Sequence, residues 1–118
     1  MVRLDKDLIM LNANGEQIPV YIEGAAPAIL PDEYFTVSED STSTAVSADN
    51  RAQEHLYEFT LAWYTKDVTR LYTGLNEAIT QLKGKGYDVE GVGYNNGTYQ
   101  DTWFSRAADI EKLENLEA

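Results

Sequence analysis

The sequence predicts an α+β domain: an antiparallel four- to five-stranded sheet with one principal amphipathic helix packed on one face. Three observations carry this. Residues 54–64 alternate, with Tyr57, Phe59, Leu61 and Trp63 on one side and Glu58, Thr60 and Ala62 on the other, the period of a half-buried strand. Val68, Leu71, Tyr72, Leu75, Ile79 and Leu82 recur at helical spacing. The elements run β-β-β-α-β-β, so a single helix is available, and one helix covers only one side of a sheet.

The N-terminal element admits two readings. Leu4, Leu8 and Leu11 would line one face of a short helix, whereas Asn14-Gly15 ahead of residues 17–22 reads as the turn of a hairpin. Residues 18–22 form a strand that Pro19 confines to an edge or delays. Pro27 and Pro31 bracket an extended connector, and Tyr34-Phe35-Thr36-Val37 has the aromatic and β-branched content of a strand. Residues 38–50 are too polar to offset the entropy of their own ordering, so a mobile loop or arm is expected there. Thr65 or Asp67 caps the helix, and Gly84-Lys85-Gly86 ends it. A strand over 87–92, a turn over 93–97 and a final strand over 101–111 follow, and residues 112–118 are left to fray, continue as a strand or coil into a helix. The 118 residues fit one domain with one modest core.

Composition narrows function by exclusion. Hydrophobic content of 43% and charged content of 25% are those of a globular protein. The longest apolar run, Leu8-Ile9-Met10-Leu11, is far shorter than the ~20 residues of a membrane-spanning helix. The charged opening is followed by no apolar signal-peptide core, so export by that route is not expected. Without cysteine, disulfides, thiolate nucleophiles and Cys-ligated zinc are ruled out. The net charge is −11, unevenly spread: between Glu16 and Glu58 nine acidic residues face one basic residue, Arg51, whereas Lys66, Arg70, Lys83 and Lys85 make the helix region basic. Most of such a surface repels nucleic acid and anionic membranes, and its two halves suit a dipolar subunit.

Catalytic chemistry finds little purchase. His55, the single histidine, stands beside Glu54 and Glu58, but strand-end histidines are far more often exposed than catalytic. Gly84-Lys85-Gly86 lacks the first glycine and the Ser/Thr of a phosphate loop and follows a helix instead of opening one. Gly91-Val92-Gly93 starts like a dinucleotide fingerprint, yet Asn96 replaces its third glycine. Asp88, Glu90, Asn95, Asn96 and Asp101 do not follow calcium-loop spacing. No catalytic, cofactor or metal residue is therefore assigned, no small-molecule substrate is expected, and the chain is read as an assembling protein instead of an enzyme.

The layout as a whole resembles the tail-completion and tail-terminator proteins of long-tailed bacteriophages. The likeness is carried in order by Pro19-Val20-Tyr21-Ile22, a proline-bearing connector and Tyr34-Phe35-Thr36-Val37. An Asp49-Asn50 pair then precedes the long strand Leu56-Tyr57-Glu58-Phe59-Thr60-Leu61-Ala62-Trp63-Tyr64, and the helix ends in Leu82-Lys83-Gly84-Lys85-Gly86-Tyr87. A turn then leads into Asp101-Thr102-Trp103-Phe104-Ser105-Arg106. The likeness spans about residues 18–111, and its motifs are loose. The chain departs from the pattern at Ala107-Ala108-Asp109, where more basic and apolar residues are usual.

The resemblance implies a homo-oligomeric ring, typically a hexamer, that caps the tail tube and joins it to neck and connector proteins. DNA would pass through the lumen without specific binding, and the location would be the virion tail, assembled in the bacterial cytoplasm. Arg70, Lys83 and Lys85 on one side and Glu39, Asp40 and Asp49 on the other are the candidate inter-subunit contacts. Two rival readings remain: an acidic DNA mimic that inhibits a nuclease or defence system, and a small accessory domain that binds one protein partner.

Overall fold

The structure is a computed structural model that describes residues 2–46 and 53–115. Strand β3 (Gln53–Thr65) is its axis. It pairs antiparallel with β2 (Glu33–Val46) on one side and with β6 (Trp103–Asn115) on the other, each for nearly its whole length. The outer edge of β6 is shared by the short strands β4 (Asp88–Val89) and β5 (Tyr94–Tyr99). Strand β1 (Val20–Ile22) lies outside β2, giving a six-stranded sheet in the order β1-β2-β3-β6-β4 with β5 also on β6.

The α+β class and the single covering helix agree with the sequence reading; the wholly antiparallel, four- to five-stranded sheet does not. β1 runs parallel to β2, Val20 opposite Phe35 and Ile22 opposite Val37. Parallel neighbours need a crossover, and here residues 23–32 supply one without a helix, passing over the sheet face opposite α2.

The alternation in β3 sets the core. Phe35 and Val37 of β2, Phe59, Leu61 and Trp63 of β3, and Ala108 and Ile110 of β6 form one buried surface. Helix α2 (Leu71–Gly84) covers it with Leu75, Ala78, Ile79 and Leu82. Burying each such large apolar side chain contributes about 1.5–3 kcal/mol. Val68 and Tyr72, expected on the inner face, are instead 55% and 61% exposed. Residues 68–70 form a 3-10 turn ahead of the helix, which rotates the inner face toward Gly74 and Ala78. Asp67 caps that turn, its carboxylate accepting from the Thr69 amide. Gly86, at φ +89°, closes α2 with Gly86 N–H to Lys83 O and Tyr87 N–H to Leu82 O.

Parts of both N-terminal readings are realised, but Leu8 and Leu11 lie beyond the helix and Leu11 is exposed. Helix α1 (Leu4–Asp7) is one turn long, and a hairpin follows it, with Leu11 bridged to Gln17 and the Asn12 side chain accepting from the amides of Asn14 and Glu16. Val2, Leu4, Leu8, Met10 and Ile18 extend the core beneath it. Gln81 of α2 fixes this segment by donating to the Ile9 carbonyl and accepting from the Ile9 amide, both at 2.6 Å.

Three further expectations are corrected. Residues 38–46, expected as part of a loop, continue β2, because the ladder to β3 supplies the order their side chains do not; residues 47–50 lie outside the described residues. Residues 94–99, expected largely as a turn, form β5 against β6, with the chain bent at Gly97. The final strand, expected over 101–111, runs over Trp103–Asn115, so that of the endings left open residues 112–115 take the strand; residues 116–118 lie outside the description.

Candidate functional site

The polar constellation most firmly held by the fold sits where the ends of β2 and β3 meet the start of α2. Glu33 opens β2 opposite Thr65, the final residue of β3. Its Oε2 accepts from Arg70 Nε at 2.6 Å and from the Thr65 hydroxyl at 2.9 Å. The hydrogen bond to Glu33 leads the effects that raise the Arg70 pKa, and the guanidinium's Nη2 is buried with no hydrogen-bond partner. Asp32 and Lys66, 3.3 Å apart, stand beside this pair. Together with Asn12, Gln17 and Pro31 these residues line an open groove of about 580 Å³. Arg70, expected to reach a neighbouring subunit, is thus committed to a carboxylate of its own chain.

The sheet face opposite α2 carries a second cluster that was not foreseen. Tyr34 and Tyr64 stack at 4.6 Å between centroids, Trp103 stands edge-on to Tyr34, and Tyr99 edge-on to Tyr64. The 23–32 connector passes over them, and the Trp103 indole N–H donates to Pro31 O. Burial, with the neighbouring tyrosines, pushes the Tyr34 phenol up to about 12. The available signal was that Tyr34 and Tyr64 fall out of phase with the core positions of their strands. Further along this face the side chains become polar: Asp40 accepts from Ser38 and Thr60, and Tyr94 donates to Asp109. Asp88, Glu90, Asp109 and Glu111 line a small acidic depression. Among the described residues no group of three or more His, Asp or Glu side chains is placed to hold a metal ion.

The third surface is a limb. From Ser41 in β2, Leu56 in β3 and Leu113 in β6 outward, the three strands run on side by side, and the molecule reaches 52 Å along its long axis against 25 and 24 Å across. Ser41, Thr42, Ser43 and Thr44 are all exposed. His55 lies on this limb beside Tyr57, ring centroids 6.0 Å apart, on the opposite strand face from Glu54 and Glu58.

The remaining candidate contacts are spread over these surfaces. Lys83 is exposed near the C-terminal end of α2, and Lys85 Nζ donates to the Asp7 carbonyl. Glu39 and Asp40 lie at the root of the limb, where a bulge interrupts the β2–β3 register, and Glu39 accepts from Thr42 at 2.8 Å. Asp49 lies outside the described residues. The fold therefore puts Lys83 on α2 and Asp40 on the other sheet face, and it does not bring the five described candidates together. No helix among the described residues is long and apolar enough to cross a membrane. No protein-family model matches the chain, and no curated protein matches its sequence.

Proposed function

We propose that the chain is a structural subunit of a bacteriophage tail, a tail-terminator or tail-completion protein. It closes into a ring at the head-proximal end of the tail tube and joins the tube to the neck. The observation that carries this reading, beside the sequence resemblance, is the limb. A three-stranded extension of β2, β3 and β6 whose outer strand carries the exposed Ser41–Thr44 stretch has its natural use against a neighbour. Two further features support it. The exposed lysine at the end of α2 and the carboxylates on the opposite sheet face are unlike surfaces on one subunit, as a head-to-tail ring requires. The acidic face would also give passing DNA nothing to bind.

The test is the solution mass of the purified protein over a range of concentration and salt, followed by negative-stain imaging. A closed ring of about six copies supports the proposal, six being the number that the family resemblance implies. A protein that stays monomeric alone and in the presence of tail tubes contradicts it and favours an accessory domain with one partner.

A further inference from the structure

The outer edge of β2 changes character at Val37. Up to that residue β1 pairs with it, and the last bond on this side runs from Glu23 N–H to Val37 O. Gly24, at φ +88°, then turns the chain away. Among the described residues no strand pairs with this edge from Ser38 onward, although β2 itself continues to Val46. Alternate N–H and C=O groups of the Ser38–Thr44 stretch therefore point outward without a strand to receive them.

Natural edges of this kind are guarded by lysine, proline, bulges or projecting charge. This one has no lysine and no proline. Its two charges are tied back: Glu39 to the Thr42 hydroxyl, Asp40 to Ser38 and to Thr60 of β3. The bulge lies between Glu39 and Ser41, at the root of the edge, leaving Ser41-Thr42-Ser43-Thr44 regular.

The opposite border of the sheet offers a counterpart. β5 pairs with β6 alone, and all six of its residues, Tyr94-Asn95-Asn96-Gly97-Thr98-Tyr99, are exposed. It is free of charge and, like the β2 edge, of lysine and proline, and it nearly matches the seven-residue Ser38–Thr44 stretch in length.

We infer that the Ser38–Thr44 edge of β2 is a strand-addition site that takes the outer edge of β5 from a second copy of the chain. The two edges lie on opposite borders of one sheet, so the contact is heterologous and leaves one copy its β5 edge and the other its β2 edge for the next neighbours. The inference rests on the ring reading, and it makes the contact chiefly one of backbone hydrogen bonds, little affected by salt.

The test uses two lysine variants of the full chain. One is S41K/S43K, whose side chains stand across from Glu58 and Leu56 on the face away from α2; the other is T98K on β5. Mass against concentration is measured by analytical ultracentrifugation, with thermal melts of dilute samples to show that the fold is kept. Each variant should raise the concentration of half-assembly by roughly tenfold or more, about 1.4 kcal/mol per tenfold, with the melt unchanged. A ring that survives either variant overturns the edge pairing and leaves the ring to other contacts. A dimer lost in S41K/S43K but kept in T98K means that two β2 edges pair symmetrically, which overturns both the β5 pairing and the ring. A wild-type protein that is monomeric at every concentration removes both as well.

Discussion

Gly74 of α2 lies so close to the indole of Trp63 that a Cβ there would stand 2.5 Å from two of the ring carbons. The ring has nowhere to retreat: it is fully buried, packed on Phe35 at 4.7 Å and held by its N–H to Arg70 O. Helix and sheet thus meet where a side chain is missing. Gly74→Ala improves helix propensity by about 1 kcal/mol, but overpacking a filled core costs about 1–3 kcal/mol. A net loss of up to about 2 kcal/mol is expected, measured as a lower urea midpoint with a changed tryptophan near-UV signal. A stabilised G74A protein would contradict this packing.

Glu33 and Arg70 give a prediction of a different kind. Glu33→Gln removes the charge opposite a guanidinium whose Nη2 already lacks a partner, and a loss of about 1.5–3 kcal/mol is expected from the lost charged hydrogen bond. The double variant E33M/R70M should recover much of that loss, because apolar groups of similar size need no partner in a half-buried site. Chemical denaturation of both variants checks the order; a double variant less stable than the single one would refute it.

Alkaline pH should act through two phenols. Tyr87 is raised by burial and by its 2.6 Å bond to the Asp7 carboxylate, and Tyr34 by burial and its tyrosine neighbours to about 12. A phenol whose folded pKa lies above the unfolded value of ~10 contributes stability that is complete below pH ~10. That contribution is lost as pH rises through the folded pKa. The melting temperature should therefore hold to about pH 10 and fall steeply beyond it, and Y87F should flatten the fall. Tyrosinate absorbance followed beside the melt separates this from general base denaturation.

Lys83 carries the electrostatic part of the ring proposal. K83E should weaken assembly at low ionic strength, and the difference from wild type should shrink as salt screens exposed charge beyond ~10 Å at 0.1 M. Sedimentation at two salt concentrations measures it. Lys85 is the less clean site, since its reversal also releases the Asp7 carbonyl. Assembly indifferent to K83E at low salt would place the charged contact elsewhere.

What could be read from the sequence divides along physical lines. The alternation of Tyr57, Phe59, Leu61 and Trp63 and the spacing of Leu75, Ile79 and Leu82 are local, and they located the core strand and the helix that covers it. The strand character of residues 38–46 was hidden because Ser and Thr show no apolar period; its order comes from β3 across the hairpin. Glycines and asparagines likewise masked β5, which β6 holds in place. The parallel pairing of β1 depends on where residues 23–32 cross the sheet, and no local pattern encodes that. Of the polar cluster, Arg70 was singled out, but as a contact to a neighbouring subunit. Its partner stands 37 positions earlier in the chain, so the pairing that defines its role was invisible.

The position of β6 between β3 and the β4/β5 border also fixes the order of events during synthesis. β6 comes later in the chain than every strand it touches, so a nascent chain that has made only β1 to β5 holds the β1-β2-β3 sheet and two orphan strands, with no β6 to join them. Closure waits on a long-range contact made after the other parts exist, the kind of step that slows folding. Under the proposed ring, a chain still lacking β6 has no placed β5 edge to offer, so subunits would join as finished bodies.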